Sequence, residues 1–112
     1  MHELAVTQSL LELALKHARA ANAVRITDIH IVMGELSTNV DDSVQFYWDL
    51  IAKDTPAAGA TLHFKRIPAE LQCQACHASF PPDDEYLCPQ CGGAQLKVIA
   101  GEEFYLDAID VD

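Results

Sequence analysis

Apolar residues recur at helical spacing over residues 4–21. Leu4, Leu11, Leu15 and Ala18 form a stripe that Leu10 and Ala14 widen, which predicts a first helix. Glu3 falls in its first turn and Lys16, His17 and Arg19 in its last turns, the signs the helix field favours at each end. Asn22 is a candidate C-cap. The period then shortens. Over residues 25–33, Ile29, Ile31 and Met33 fall on one side and Asp28 and His30 on the other, with Val32 breaking the polar side. This predicts a strand that Gly34 ends. Ser37, Thr38 and Asn39 offer caps for a second helix with the stripe Val40, Val44, Tyr47, Trp48 and Ile51, closed by Pro56 and Gly59. A second strand is expected over residues 60–67, with Leu62 and Phe64 opposite His63 and Lys65, before Pro68 breaks it. A last strand over residues 103–109 sets Phe104, Leu106 and Ala108 against Tyr105 and Asp107. Its alternation slips near Ile109 and Val111, as at a bulge.

This order predicts an α+β fold: a two-layer domain of two helices on a three-stranded sheet, with a small tetracysteine zinc-ribbon-like insertion before the last strand. The expected division is residues 1–68 plus 98–112 as an α/β domain and 69–97 as a zinc-binding domain. The inserted segment is too short to bury a core of its own, so metal is expected to supply its folding energy.

All four cysteines lie in that insertion, as Cys73-Gln74-Ala75-Cys76 and Cys88-Pro89-Gln90-Cys91. Two C-x-x-C pairs let four thiolates converge tetrahedrally, the donor set of structural zinc. A rubredoxin-type iron site is the competing metal. Two disulfides or four idle thiols are the plainer alternative. Gly92-Gly93 follows the second pair, where a positive φ is expected. Pro81-Pro82-Asp83-Asp84-Glu85 reads as a turn with an acidic tip. His77 directly follows Cys76 and is read as a neighbour of the site without a ligand role. His17, His30 and His63 have no paired spacing and read as ordinary surface or packed residues.

Composition changes the picture in two ways. The formal net charge of −10, from 17 acidic against 7 basic residues, argues against nucleic acid as a partner and suits a cation or a basic protein face. Glu3, Glu12, Lys16, His17 and Arg19 interrupt the apolar start of the chain, so neither a signal peptide nor a membrane span is expected there. The expectation is a cytoplasmic protein with no membrane partner.

Met1-His2-Glu3 offers a different kind of site. The α-amine of Met1, the amide and imidazole nitrogens of His2, and next the Glu3 amide form a planar nitrogen set. Deprotonated amides need Ni²⁺ or Cu²⁺ rather than zinc. The first N–H groups of a helix have no intrahelical acceptor, so ligation there breaks no helix bond. Glu3 offsets the field that opposes a cation at this end, or adds a ligand. The bland alternative is a frayed terminus carrying an accidental histidine.

Together, Met1-His2-Glu3-Leu4 opening a helix, Gly34-Glu35-Leu36-Ser37 after the first strand and the two late cysteine pairs resemble the HypA/HybF hydrogenase maturation factors, over essentially the whole chain. The resemblance implies a nickel metallochaperone for [NiFe] hydrogenase, with Ni²⁺ as transferred cargo and Zn²⁺ as structural metal at Cys73, Cys76, Cys88 and Cys91. It implies His2 as the nickel ligand, Glu3 as a contributor to that site, and Asp41 as the best match to an acidic contributor at the start of the second helix. The α/β domain becomes the nickel-binding one. Implied partners are a hydrogenase-maturation GTPase, the hydrogenase large subunit, in some organisms urease maturation proteins, and a second copy in a homodimer. No enzymatic motif competes. A zinc-ribbon interaction module without nickel transfer is the rival reading.

Overall fold

The computed structural model describes residues 2–37 and 41–112, apart from the His2 side chain. The first helix, α1, spans His2–Ala20. It ends as a Schellman turn: Asn22 has φ 55°, its N–H donates to Arg19 O (3.0 Å), and the Ala23 N–H reaches Ala18 O (2.9 Å). The predicted C-cap residue is therefore the left-handed one. Thr7, fully buried on α1, donates its hydroxyl to Glu3 O at 2.5 Å, which satisfies an otherwise stranded polar group.

Strand β1 (Ile26–Gly34), helix α2 (Asp41–Ile51), strand β2 (Thr61–Ile67) and a late strand, here β6 (Phe104–Val111), complete the two-layer part. The sheet order is β2-β1-β6. The Ile26 N–H bonds to Pro56 O, ahead of β2, and the Glu35 N–H to Ile67 O at its end, so β2 runs parallel to β1, as a helical crossover requires. Val24 and Arg25 bond with Asp112 while Gly34 bonds with Glu103, so β6 runs antiparallel to β1. Val40, Thr38 and Asn39, the predicted start of the second helix, lie outside the described residues. The rest of the stripe holds, with Val44 and Trp48 buried.

The chain divides into two compact units. The first comprises Met1–Val32, Thr38–Lys65 and Tyr105–Asp112. Its core is Leu10, Ala14 and Ala18 from α1, Ile26, Ile29 and Ile31 from β1, Val44 and Trp48 from α2, and Leu62 from β2. Each large apolar side chain so buried stabilises the fold by roughly 1.5–3 kcal/mol. The polar side of β1 and β2, with Asp28, His30 and His63, is left half-buried or exposed. On β6, Phe104 and Leu106 are partly buried, but the next partly buried residue is Ile109, not Ala108. The predicted slip is therefore present, and it puts Asp107 and Asp110 both on the exposed parity.

The second unit comprises Met33–Ser37 and Arg66–Phe104, a longer stretch than the predicted 69–97 insertion. It holds three strands that hydrophobic alternation did not reveal: β3 (Glu70–Cys73), β4 (Ser79–Phe80) and β5 (Leu96–Ala100), in the order β4-β3-β5. β3 pairs antiparallel with both neighbours, Leu71 opposite Phe80 on one side and Val98 on the other, with an irregularity at Glu70/Leu71. Contrary to the expectation of no core, Leu71, Cys73, Phe80 and Cys88 form a small buried cluster with Ala78, Leu96 and Val98 against it. Two of its four central members are cysteines, so metal and packing act on the same residues.

Glu35 and Glu103 fasten this unit's backbone. Glu35 Oε1 accepts the Ala69 N–H (2.9 Å) and Glu103 Oε1 the Gly101 N–H (2.8 Å). Backbone bonds Gly34 N–H to Glu103 O and Leu36 N–H to Gly101 O are both 2.7 Å. Gly34 and Gly101 pass so closely that a Cβ on Gly34 would sit 2.1 Å from Gly101 C and O.

Candidate metal centre

Each cysteine pair is set in the same backbone loop. In the first, the Cys73 N–H donates to Ala78 O (2.9 Å) and the His77 N–H returns to Cys73 O (2.9 Å). In the second, the Cys88 N–H donates to Gly93 O (2.8 Å) and the Gly92 N–H returns to Cys88 O (2.9 Å). The fourth residue after the leading cysteine must then turn left-handed. Gly92 does so at φ 74°, as predicted, and His77 occupies the equivalent place at φ 65°. His77 thus stands where its partner loop uses glycine.

The two loops bring the four sulfurs together. The ligand atoms of Cys73, Cys76, Cys88 and Cys91 all lie within 4.8 Å of one another. Cys73 Sγ is 3.6 Å from Cys91 Sγ, and Cys76 Sγ is 3.5 Å from Cys88 Sγ. Zinc–sulfur bonds of 2.3 Å in a tetrahedron place sulfurs about 3.8 Å apart, so a zinc ion fits with small adjustment. The spacing is far too long for disulfides, and all four cysteines are free.

Backbone N–H groups point at the leading sulfurs: Ala75 to Cys73 Sγ (3.4 Å), and Gln90 and Cys91 to Cys88 Sγ (3.4 and 3.5 Å). The Cys91 N–H, with that of Gln90, holds the Cys88 thiol down at about 6, and the N–H groups of Cys76 and Ala75 lower Cys73. The trailing sulfurs go the other way. The Gly93 N–H favours the Cys91 thiolate, but the sulfurs of Cys73, Cys76 and Cys88 outweigh it and push the thiol up to about 12. The Ala78 N–H acts likewise on Cys76, which Cys88 raises. Four thiolates this close repel one another, and a divalent cation is the charge that lets all four deprotonate. The donor set suits structural zinc. Four sulfurs fill its coordination and leave no position for substrate.

A family model described as hydrogenase/urease nickel incorporation, metallochaperone, hypA, matches residues 1–111. The chain belongs to the HypA family. A hydrogenase maturation factor HypA of Dehalococcoides mccartyi is 45% identical over 113 residues, with 100% of this chain and 95% of that protein covered. The solution structure of a HypA protein matches with a TM-score of 0.79 at 24% identity, covering 99% of this chain and 96% of that one. The solution structure of the Ni metallochaperone HypA from Helicobacter pylori matches with a TM-score of 0.68 at 22% identity, covering 97% of this chain and 96% of that one. At these identities the two structures establish the fold alone. HypA is a family of maturation factors and metallochaperones rather than enzymes, so nickel is cargo and the tetracysteine zinc is structural.

The other expected residues are placed as follows. His2 opens α1, while its side chain and Met1 lie outside the described residues. Glu3 is half-buried in the first turn of α1, and Asp41 is half-buried as the first residue of α2. Two histidines read as ordinary surface or packed residues in fact lie together. His30 and His63 are not scattered: β1 and β2 stack their rings at a centroid distance of 4.7 Å and 13° from parallel. The available signal was parity, since each sits on the polar side of its strand. Among the described residues no helix is long and apolar enough to cross a membrane.

Proposed function

We propose that this chain carries Ni²⁺ at its His2-Glu3 end and releases it to a receiving protein during [NiFe] hydrogenase maturation. The ligands are the His2 imidazole and amide nitrogen and the Glu3 amide, with the Glu3 carboxylate as a contributor and Asp41 as a further one. The observation that carries the reading is that α1 begins at His2 with Glu3 in its first turn. The amides required are those without an intrahelical acceptor, so ligation costs no helix bond. Planar nitrogen ligation is open above and below the plane, so an incoming donor can displace ligands stepwise. In this division of labour the first unit handles nickel. The second holds zinc through Cys73, Cys76, Cys88 and Cys91.

The receiving partners are a hydrogenase-maturation GTPase and the hydrogenase large subunit, in the cytoplasm, with urease maturation proteins as a second client. The net charge of −10 suits docking against a basic face, which added salt would weaken. The test is His2→Ala in a chain with an untagged start. Nickel stoichiometry and hydrogenase maturation should fall to background with zinc content and circular dichroism unchanged; nickel binding that survives the substitution refutes the assignment.

One observation favours the rival role of interaction module. The second unit has a groove of about 370 Å³ lined by Leu36, Leu71, Pro82, Tyr86, Leu96 and Val98, with Tyr86 64% exposed. Under that reading His2→Ala leaves maturation intact and substitutions in the groove abolish it.

A further inference from the structure

We propose that the open side of the first unit's sheet carries a second transition-metal site, formed by the imidazoles of His30 and His63. It is separate from the tetracysteine centre and from the His2-Glu3 end.

The geometry starts with the two rings. They lie 4.7 Å apart between centroids and 13° from parallel, on neighbouring strands β1 and β2. Each is held by a carboxylate through the same nitrogen. His30 Nε2 is 2.8 Å from Asp110 Oδ2, and His63 Nε2 is 2.7 Å from Asp28 Oδ1. Asp28 is itself oriented by the Thr27 hydroxyl, which donates to Oδ2 at 2.8 Å. A carboxylate that accepts from Nε2 keeps the proton there and leaves the lone pair of a neutral imidazole on Nδ1. Carboxylate–histidine–metal arrangements use this device: the acid fixes the tautomer, holds the ring and raises its basicity. Here it occurs twice, on rings already in contact.

One ion can take both free nitrogens. In the stack, 13° from parallel, the in-plane lone pairs point nearly the same way. The ion is therefore taken by swinging the rings out of the stack about their exposed side chains until, with metal–nitrogen bonds of 2.0–2.1 Å at roughly a right angle, the two nitrogens stand about 3 Å apart. Access is open, since the side chains of His30 and His63 are 37% and 46% exposed. Charge is favourable. Asp28 and Asp110 offset a dication, against the single opposing charge of Lys65, two residues along β2 from His63 on the same parity. Imidazole donors select borderline transition metals such as Ni²⁺, Cu²⁺ and Zn²⁺ over Mg²⁺ or Ca²⁺. Two protein ligands leave the remaining positions to water, so the ion exchanges readily, unlike one enclosed by four sulfurs.

An alternative is that these are two ordinary histidine–aspartate surface pairs, which would contribute little. The experiment separates the two. Zinc-loaded chain carrying His2→Ala is titrated with NiCl₂ while imidazole signals are followed by NMR and bound nickel is counted by equilibrium dialysis. The expected result is one nickel per chain, with the His30 and His63 ring signals broadened before those of His17 and His77. Adding His30→Ala and His63→Ala should remove that nickel. Asp28→Ala with Asp110→Ala should weaken it by about 10–100-fold, the usual effect of losing groups that orient metal-bound histidines. Ring signals of His30 and His63 that stay sharp at nickel saturation overturn the site, and so does a nickel count unchanged by the histidine double substitution. The NMR arm needs neither histidine replaced, so it holds even if that variant misfolds. Failure here leaves the His2 reading untouched, because His2 is absent throughout.

Discussion

Gly34→Ala should be among the most damaging single-methyl additions in this chain. The new Cβ would lie 2.1 Å from Gly101 C and O and 2.6 Å from Glu102 N, all backbone atoms that cannot rotate away. Non-bonded contacts relax at about 3.5–4.0 Å, so the facing backbone between β5 and β6 must retreat by about 1.5 Å. Overpacking of this kind costs about 1–3 kcal/mol. The retreat also pulls on the Leu36 N–H to Gly101 O and Gly34 N–H to Glu103 O bonds, both 2.7 Å. Losing them adds about 1 kcal/mol each. The sum is about 3–5 kcal/mol, a large part of the 5–15 kcal/mol typical of a domain. Gly59→Ala is the matched control. Gly59 has φ 76° with nothing within 4 Å of a built Cβ, so only the left-handed strain of about 1–2 kcal/mol applies. Urea denaturation of the zinc-loaded protein followed by circular dichroism measures both. A Gly34→Ala variant no more costly than Gly59→Ala refutes steric closure at Gly34.

His77→Gly should leave zinc content intact and stabilise the protein by up to about 1 kcal/mol, because His77 holds φ 65° without glycine's freedom; a melting temperature that falls counts against this. Cys73→Ala should cost more than Cys76→Ala in both zinc content and melting temperature, since Cys73 is also fully buried in the small core while Cys76 is exposed. Purified protein should be colourless with one zinc per chain by elemental analysis, whereas a red S₄ iron chromophore would reverse the metal assignment. Asp28 should titrate below its ordinary value of 3.8, held down first by His63 and then by Thr27. Its contribution is therefore complete above 3.8 and lost as pH falls through the lower folded-state value. A carboxyl NMR titration should find the midpoint returning toward 3.8 in His63→Ala.

Much of the two-layer part could be read from spacing because its elements are long. The 19-residue α1 repeats its stripe for five turns, and β1 alternates long enough to declare a face. The cysteine centre was legible for another reason: C-x-x-C fixes its own geometry locally. The strands of the second unit were not legible, because β3, β4 and β5 have only 4, 2 and 5 residues and two of them flank the first cysteine pair. Alternation needs several repeats to rise above chance. The place of His77 in the loop was hidden too, since a left-handed residue is expected to be glycine and only the hydrogen bonds reveal the second loop as a copy of the first. His30 and His63 are separated in sequence by a whole crossover helix. Parity put each on an outer face, but only the parallel register of β1 and β2 decides that they meet.

The slip in β6 has a consequence for the family of sequences that this fold can accept. A strand that carried strict alternation through Ala108, without the slip, would look more regular but would turn Ala108 and Asp110 toward the buried side. Its aspartate would then be inverted toward oil, and His30 would lose the acid that steadies it. An apparent blemish in the weave is thus what gives a sheet designed around one greasy side a second, chemically articulate one.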